Sequence, residues 1–205
     1  MTKLASDRVS LGRPRLVVPA YFRPDVRPED WDMLARHASQ VRLVILNLAN
    51  GPGPAPDPAF YPALARLRDV GVAGVCFDRA SGTAEHLGYY AALSRYARDM
   101  GARVVLFNHG AHPLEAYAEH ANLLGTFEGP WRAYLQLAVP RWTRSRPADK
   151  FYHVVYSVPP ENYDHAFLLA MRRRAGSAYI TDRRGTNPYD CLPAGVLEPQ
   201  PRWMR

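Results

Sequence analysis

Short apolar runs, rich in β-branched residues, recur along the chain at residues 16–18, 42–46, 72–77, 103–107, 123–127, 151–156 and 178–181. Most are continuous rather than alternating, which is the pattern of strands covered on both faces in a parallel sheet. Between them the apolar positions fall at helical spacing, as at residues 28–39, 58–69, 84–100 and 162–174. Several helix ends are legible. Pro28-Glu29-Asp30 places a proline and two acids in a first turn, and Asp57-Pro58 reads as an N-cap followed by proline at the first helical position. Gly71 and Gly101 stand where C-terminal caps belong, each just ahead of the next strand.

Strand, helix and strand repeating at about thirty residues predict serial βα units with right-handed crossovers. Seven such units can be counted. A (β/α)₈ barrel normally takes about 250 residues and eight strands. This chain of 205 residues therefore predicts an α/β, TIM-barrel-like repeat lacking one βα unit. An open doubly wound parallel sheet is the alternative. The whole chain, residues 1–205, reads as one domain with irregular ends at 1–14 and 194–205. The Gly51-Pro52-Gly53-Pro54-Ala55-Pro56 stretch is expected as a rigid turn within one βα connection.

Composition narrows the function classes. A hydrophobic fraction of 47% suffices for a core. No apolar stretch has the length of a membrane span, so no membrane partner is expected. Residues 1–15 carry charges and Pro14 but no apolar h-region, which predicts no signal peptide and a cytoplasmic location. Two cysteines, Cys76 and Cys191, argue against a disulfide framework. The net charge is +7, yet Lys occurs only at Lys3 and Lys150, a bias that a GC-rich genome produces unaided. Without a basic face on a recognisable module, no nucleic-acid partner is expected. Arg172-Arg173-Arg174 and Arg183-Arg184 read as a solvated helix end and loop.

Ligands of parallel α/β folds bind at the carboxyl ends of the strands. The apolar runs end on Pro19-Ala20-Tyr21-Phe22, Asn47, Asp78-Arg79, Asn108-His109-Gly110, Glu128-Gly129, Tyr156-Ser157 and Thr181-Asp182. Carboxylates, carboxamides, an imidazole and phenols gathered on one rim suit a carbohydrate or another small polar ligand. Acids and amides hydrogen-bond hydroxyls, while aromatic faces cover the apolar side of a sugar. Asp78 and Glu128 are the catalytic candidates, because glycoside cleavage needs one carboxyl to protonate the leaving oxygen and another as nucleophile or base. Strand-end acids that merely cap the following helix are the structural alternative. Tyr21, Asn47, Arg79, Asn108, His109, Tyr156 and Asp182 are the substrate-binding candidates.

His109 and His112 have a spacing open to a metal, but no third ligand is evident and no metal is expected. His153, inside a strand, reads either as a core histidine or as a substrate contact. No P-loop, GxGxxG or nucleophile elbow is present, and the Gly-Pro run lacks the amide donors that cradle phosphate. No cofactor is expected.

Val18-Pro19-Ala20-Tyr21-Phe22, the Leu46 to Gly53 stretch, Gly74-Val75-Cys76-Phe77-Asp78-Arg79, Thr126-Phe127-Glu128 and Tyr179-Ile180-Thr181-Asp182 together resemble the spherulin-4-like (spherulation-specific family 4) proteins. The resemblance runs from about residue 16 to residue 193. It implies a barrel-type glycoside hydrolase acting on galactosamine- or N-acetylgalactosamine-containing glycans, with an Asp-Glu pair after one strand and a Glu two strands later. The Asp of that pair corresponds to Asp78 and the later Glu to Glu128. The second member of the pair falls on Arg79, which does not exchange protons usefully. Two further departures stand out. The family's third strand and its following helix have no counterpart between Leu67 and Gly74, and Asn108-His109-Gly110-Ala111 replaces the usual Asn-Pro-Gly-Thr.

Three readings follow. The first is a glycoside hydrolase working through Asp78 and Glu128. The second is a non-hydrolytic relative binding a glycan or small metabolite on the same rim. The third is an intracellular enzyme in which Arg79, His109 and Asp78 carry altered chemistry. The missing unit would also leave open strand edges near Val75, where either a distorted closure or a homodimer contact is expected.

Overall fold

A computed structural model describes residues 15–20, 26–36, 41–46 and 74–192, the backbone alone for 15, 20 and 41–46. Tyr21, Asn47, the Gly51 to Pro56 turn, the helix expected at 58–69 and Gly71 lie outside the described residues. The strands are β1 (Arg15–Ala20), β2 (Val41–Leu46), β3 (Gly74–Phe77), β4 (Val104–Asn108), β5 (Leu123–Pro130), β6 (Phe151–Tyr156) and β7 (Ser177–Ile180). The α-helices among the described residues are α1 (Pro28–Arg36), α2 (Leu87–Asp99), α3 (Trp131–Leu135) and α4 (Tyr163–Arg172).

All seven strands form one parallel sheet in the order β2-β1-β7-β6-β5-β4-β3. This is the cyclic order of a barrel: β1 pairs with the last strand, through Arg15 with Ser177 and Leu16 with Ala178. Each strand lies beside its sequence neighbours except at one place. Among the described residues no ladder joins β2 to β3, and that is where the βα repeat of the sequence is one unit short. The architecture is an α/β, TIM-like barrel left incomplete at this break.

The continuous apolar runs behave as strands buried on both faces. Every described residue of β7 is buried, as are all but the terminal Tyr156 of β6. Inward-facing Leu106, Tyr152, Val154 and Tyr179 form an interior cluster, closed over by Tyr189 and Leu192. Outward-facing Val75, Phe77, Val105 and Phe107 pack beneath Tyr90, Leu93 and Ala97 of α2. Phe127, Val155 and Ile180 do the same beneath Trp131 and Tyr134 of α3 and Ala166, Phe167 and Ala170 of α4. A fully buried Leu or Phe side chain of this kind contributes about 1.5–3 kcal/mol.

The crossovers shorten after β4. Residues 109–122 hold only a 3-10 segment, Glu115–Glu119, and the β5–β6 connection holds α3 and two more such turns. Pro113, Pro130, Pro140 and Pro147 punctuate these stretches, and proline inside a helix removes a donor and clashes with the preceding turn.

Candidate functional site

Asp78 follows the last residue of β3 and Asn108 ends β4. Asn108 binds these two strand ends together twice over. Its backbone oxygen accepts from Ala80 N–H at 2.8 Å, and its side-chain Nδ2 donates to Asp78 Oδ1 at 2.8 Å. The same nitrogen donates to Glu128 Oε2 at 2.5 Å. Two carboxylate oxygens thus share one carboxamide nitrogen and can be no farther apart than those two contacts laid end to end.

Glu128 reaches this position through a bulge. Simple alternation from Leu123 would put Phe127 on the inner face. The ladder to β6 slips between Gly125 and Phe127, so that Gly125 pairs with Tyr152 and Glu128 with Val154. The extra residue, Thr126, turns outward to bond His153 Nε2 at 3.1 Å, and Phe127 packs on Tyr134. A bulge that re-aims one side chain beside a site is a recurrent use of the motif. Gly125 itself is obligatory, because a Cβ there would collide with Asn108 Oδ1 and Tyr152 Oη. Gly110, at φ 65°, turns the chain after β4 so that its carbonyl accepts from Glu128 N–H at 3.0 Å.

The second oxygen of Glu128 is held by a residue that the pattern of strand ends does not reveal. Tyr189 donates to Glu128 Oε1 at 2.7 Å. An Asn-Pro turn sets up this contact: Tyr189 N–H donates to Asn187 Oδ1 at 3.1 Å. The Arg183 guanidinium then clasps Asp190 through both carboxylate oxygens at 2.9 Å. The signal available in sequence was Asn187-Pro188-Tyr189, an Asx-type turn leading into an aromatic residue.

Asp78, Arg79, Asn108, His109, Gly110, Glu128 and Tyr156 line a cleft of about 470 Å³ over the acid pair. Arg79 is exposed on its edge and adopts a left-handed backbone, φ 53°. That conformation costs a non-glycine residue on the order of 1 kcal/mol. Among the described residues the ion pairs join Arg146 to Glu115 and Glu119, and Arg183 to Asp190; Arg79 pairs with neither Asp78 nor Glu128. The His109 ring stands edge-on to Tyr117 at 4.9 Å, with Nδ1 at 3.0 Å from Ala80 O. A carbonyl only accepts, so Nδ1 carries the proton. Burial pushes the imidazole down to about 4 against the upward pull of the Ala80 and Ser81 carbonyls, so His109 is neutral near pH 7.

Of the substrate-binding candidates, Arg79, Asn108, His109 and Tyr156 therefore meet in one cleft with both acids. Asp182 sits apart, exposed, exchanging hydrogen bonds with Tyr163: the phenol donates to Oδ1 at 3.0 Å and accepts from Asp182 N–H at 2.9 Å. His153 is a satisfied core residue between Tyr134 Oη at 2.9 Å and Thr126, and burial drives it down to about 3. His112 lies beside His153 and Trp142, also lowered by burial to about 4. No group of three metal-ligating side chains occurs among the described residues, nor does any of their helices have the length and apolarity to cross a membrane. Beneath the acids, burial and then the charges of Asp78 and Glu128 push the Cys76 thiol well up, which makes it a filler rather than a thiolate nucleophile.

The model of spherulation-specific family 4 matches residues 60–198, a span that contains Asp78, Asn108, Glu128 and Tyr189. The chain belongs to this family. No curated protein matches it. Among solved structures, this family 4 protein is similar to Aspergillus clavatus Sph3, described in complex with GalNAc. The TM-score is 0.68 at 19% identity, over 91% of this chain and 96% of that one. At such identity the likeness speaks for the fold.

Proposed function

We propose that this family 4 protein is a glycoside hydrolase acting on galactosamine- or N-acetylgalactosamine-containing glycans, with Asp78 and Glu128 as its paired carboxyls. The observation that carries the reading is the Asn108 bridge, which holds one oxygen of each acid on a single nitrogen at the floor of an open cleft. Family membership and the fold shared with a protein solved with GalNAc support it.

The hydrogen bonds at Glu128 support a division of labour between the two acids. Glu128 accepts at both oxygens, from Asn108 and from Tyr189, so neither oxygen presents a proton. It is the nucleophile, or the base that activates water. Asp78 is the acid that protonates the leaving oxygen. Two oxygens that share one nitrogen lie closer than the about 6.5–9.5 Å of inverting enzymes, which favours the retaining course. Tyr156, edge-on to Tyr189 with centroids 6.5 Å apart, offers an aromatic wall for the apolar face of the sugar.

The test is release of new reducing ends from oligosaccharides of galactosamine and N-acetylgalactosamine. Wild type should turn over, and Asp78→Asn and Glu128→Gln should each lose at least about a hundredfold in kcat. Turnover unchanged in both variants would sink the assignment. Binding without turnover in the wild type would leave the rim as a glycan-binding site only.

A further inference from the structure

Resting on that reading, we propose that Arg79 forms a subsite for an anionic substituent of the glycan, a carboxylate or a sulfate ester, beside the acid pair. Three observations converge on it. The first is placement: Arg79 lines the cleft together with Asp78, Asn108 and Glu128. The second is the strain in its backbone at φ 53°. Both neighbours are tied down. Asp78 is held by Asn108, while Ala80 is buried, with its N–H on Asn108 O and its carbonyl on His109. The turn is thus fixed from both sides, and a residue kept in such a conformation at a cleft marks use of its side chain.

The third observation is electrostatic. An arginine next in sequence to one carboxylate and across a cleft from another would ordinarily pair with one of them. Here Glu128 is satisfied at both oxygens by neutral donors, Asn108 and Tyr189, and Arg79 forms no ion pair with either acid. Its donor fork is left for a ligand. A planar guanidinium matches carboxylate and sulfate oxygens in bidentate fashion, and it opposes the approach of a protonated amino group. Because Arg79 is paired with neither carboxylate, an anionic group can be seated on it without displacing an ion pair of the site.

Titration calorimetry with the full chain at low ionic strength tests this, using an N-acetylgalactosamine trisaccharide, a counterpart carrying a galacturonate residue and a 6-sulfated N-acetylgalactosamine oligosaccharide as probes. Wild type should bind one or both anionic probes about tenfold more tightly than the neutral one, and the preference should shrink with added salt. In Arg79→Gln the preference should fall to about twofold or less. Arg79→Gly, which suits the left-handed turn, should behave the same while melting no lower than wild type, so that loss of preference cannot be put down to misfolding. The carboxylate and sulfate arms identify which anion is read. Equal affinity for neutral and anionic probes, or a preference that survives Arg79→Gln, overturns the subsite while leaving the hydrolase reading intact. Failure to bind any glycan, neutral or anionic, overturns both.

Discussion

Tyr189 reaches back 61 residues to donate a 2.7 Å hydrogen bond to Glu128 Oε1, and so ties the segment after β7 to the acid pair in the cleft. Because the donor meets an oxygen on which charge changes during reaction, Tyr189→Phe should lower kcat about tenfold with little change in KM. Steady-state kinetics on a GalNAc oligosaccharide checks this. A variant that changes KM alone would make Tyr189 a binding residue instead.

Asn108 places a donor between two carboxylates, so Asn108→Asp would substitute a third acid for it. The crowded carboxyl should bind its proton more tightly in the folded state than in the unfolded chain. The stability of the variant is therefore expected intact at low pH and lost as pH rises through that elevated pKa. Thermal melts from pH 4 to 8 should show the gap between variant and wild type widening with pH. A constant gap contradicts the bridge.

Gly125→Ala tests the packing that sets the bridge. The added Cβ collides with the Asn108 amide and the Tyr152 phenol, both on buried side chains. Destabilisation of roughly 1–3 kcal/mol is expected, accompanied by loss of activity out of proportion to the residual fold. Chemical denaturation and kinetics on the same preparation separate the two effects.

Much of this architecture was legible in the sequence. Continuous apolar runs named the parallel strands, and the count of seven with the gap after Leu67 anticipated the break between β2 and β3. Asp78 and Asn108 could be read as strand ends, because inward alternation along β3 and β4 carries directly to them. Glu128 was reached by its place at the end of a run, yet period-2 counting alone would have turned it away from the interior. Only the ladder slip at Thr126 puts it inward, and no local signal distinguishes such a bulge from regular strand. Tyr189 was not legible, since its partner is remote in sequence and hydrophobic periodicity has no bearing on loops. Asp182 follows just after β7, but Tyr163 from the start of α4 engages it, and it is not among the residues lining the cleft.

Three histidines, His153 buried and His109 and His112 half-buried, make a pH prediction that is independent of catalysis. His109 and His112 are lowered to about 4 and His153 to about 3, all chiefly by burial. The unfolded chain, with ordinary histidines near about 6.5, binds more protons than the folded one between those values. Stability should therefore be full above about pH 6.5 and fall steadily as pH drops toward 4. The melting temperature should decline by roughly 5 °C or more over that window. His153→Gln, in which the titrating ring is gone, should flatten part of the slope even though it melts lower at pH 7. A slope unchanged in that variant contradicts the assignment.

The spacing of Asp78 and Glu128 makes the most direct demand on the account. Proton NMR of the first product formed from an N-acetylgalactosamine oligosaccharide, recorded before mutarotation, reports the configuration at the cleaved anomeric carbon. The account predicts retention, through Glu128 as nucleophile and Asp78 as acid and then base. Inversion, or cleavage that persists undiminished in Glu128→Gln, contradicts it.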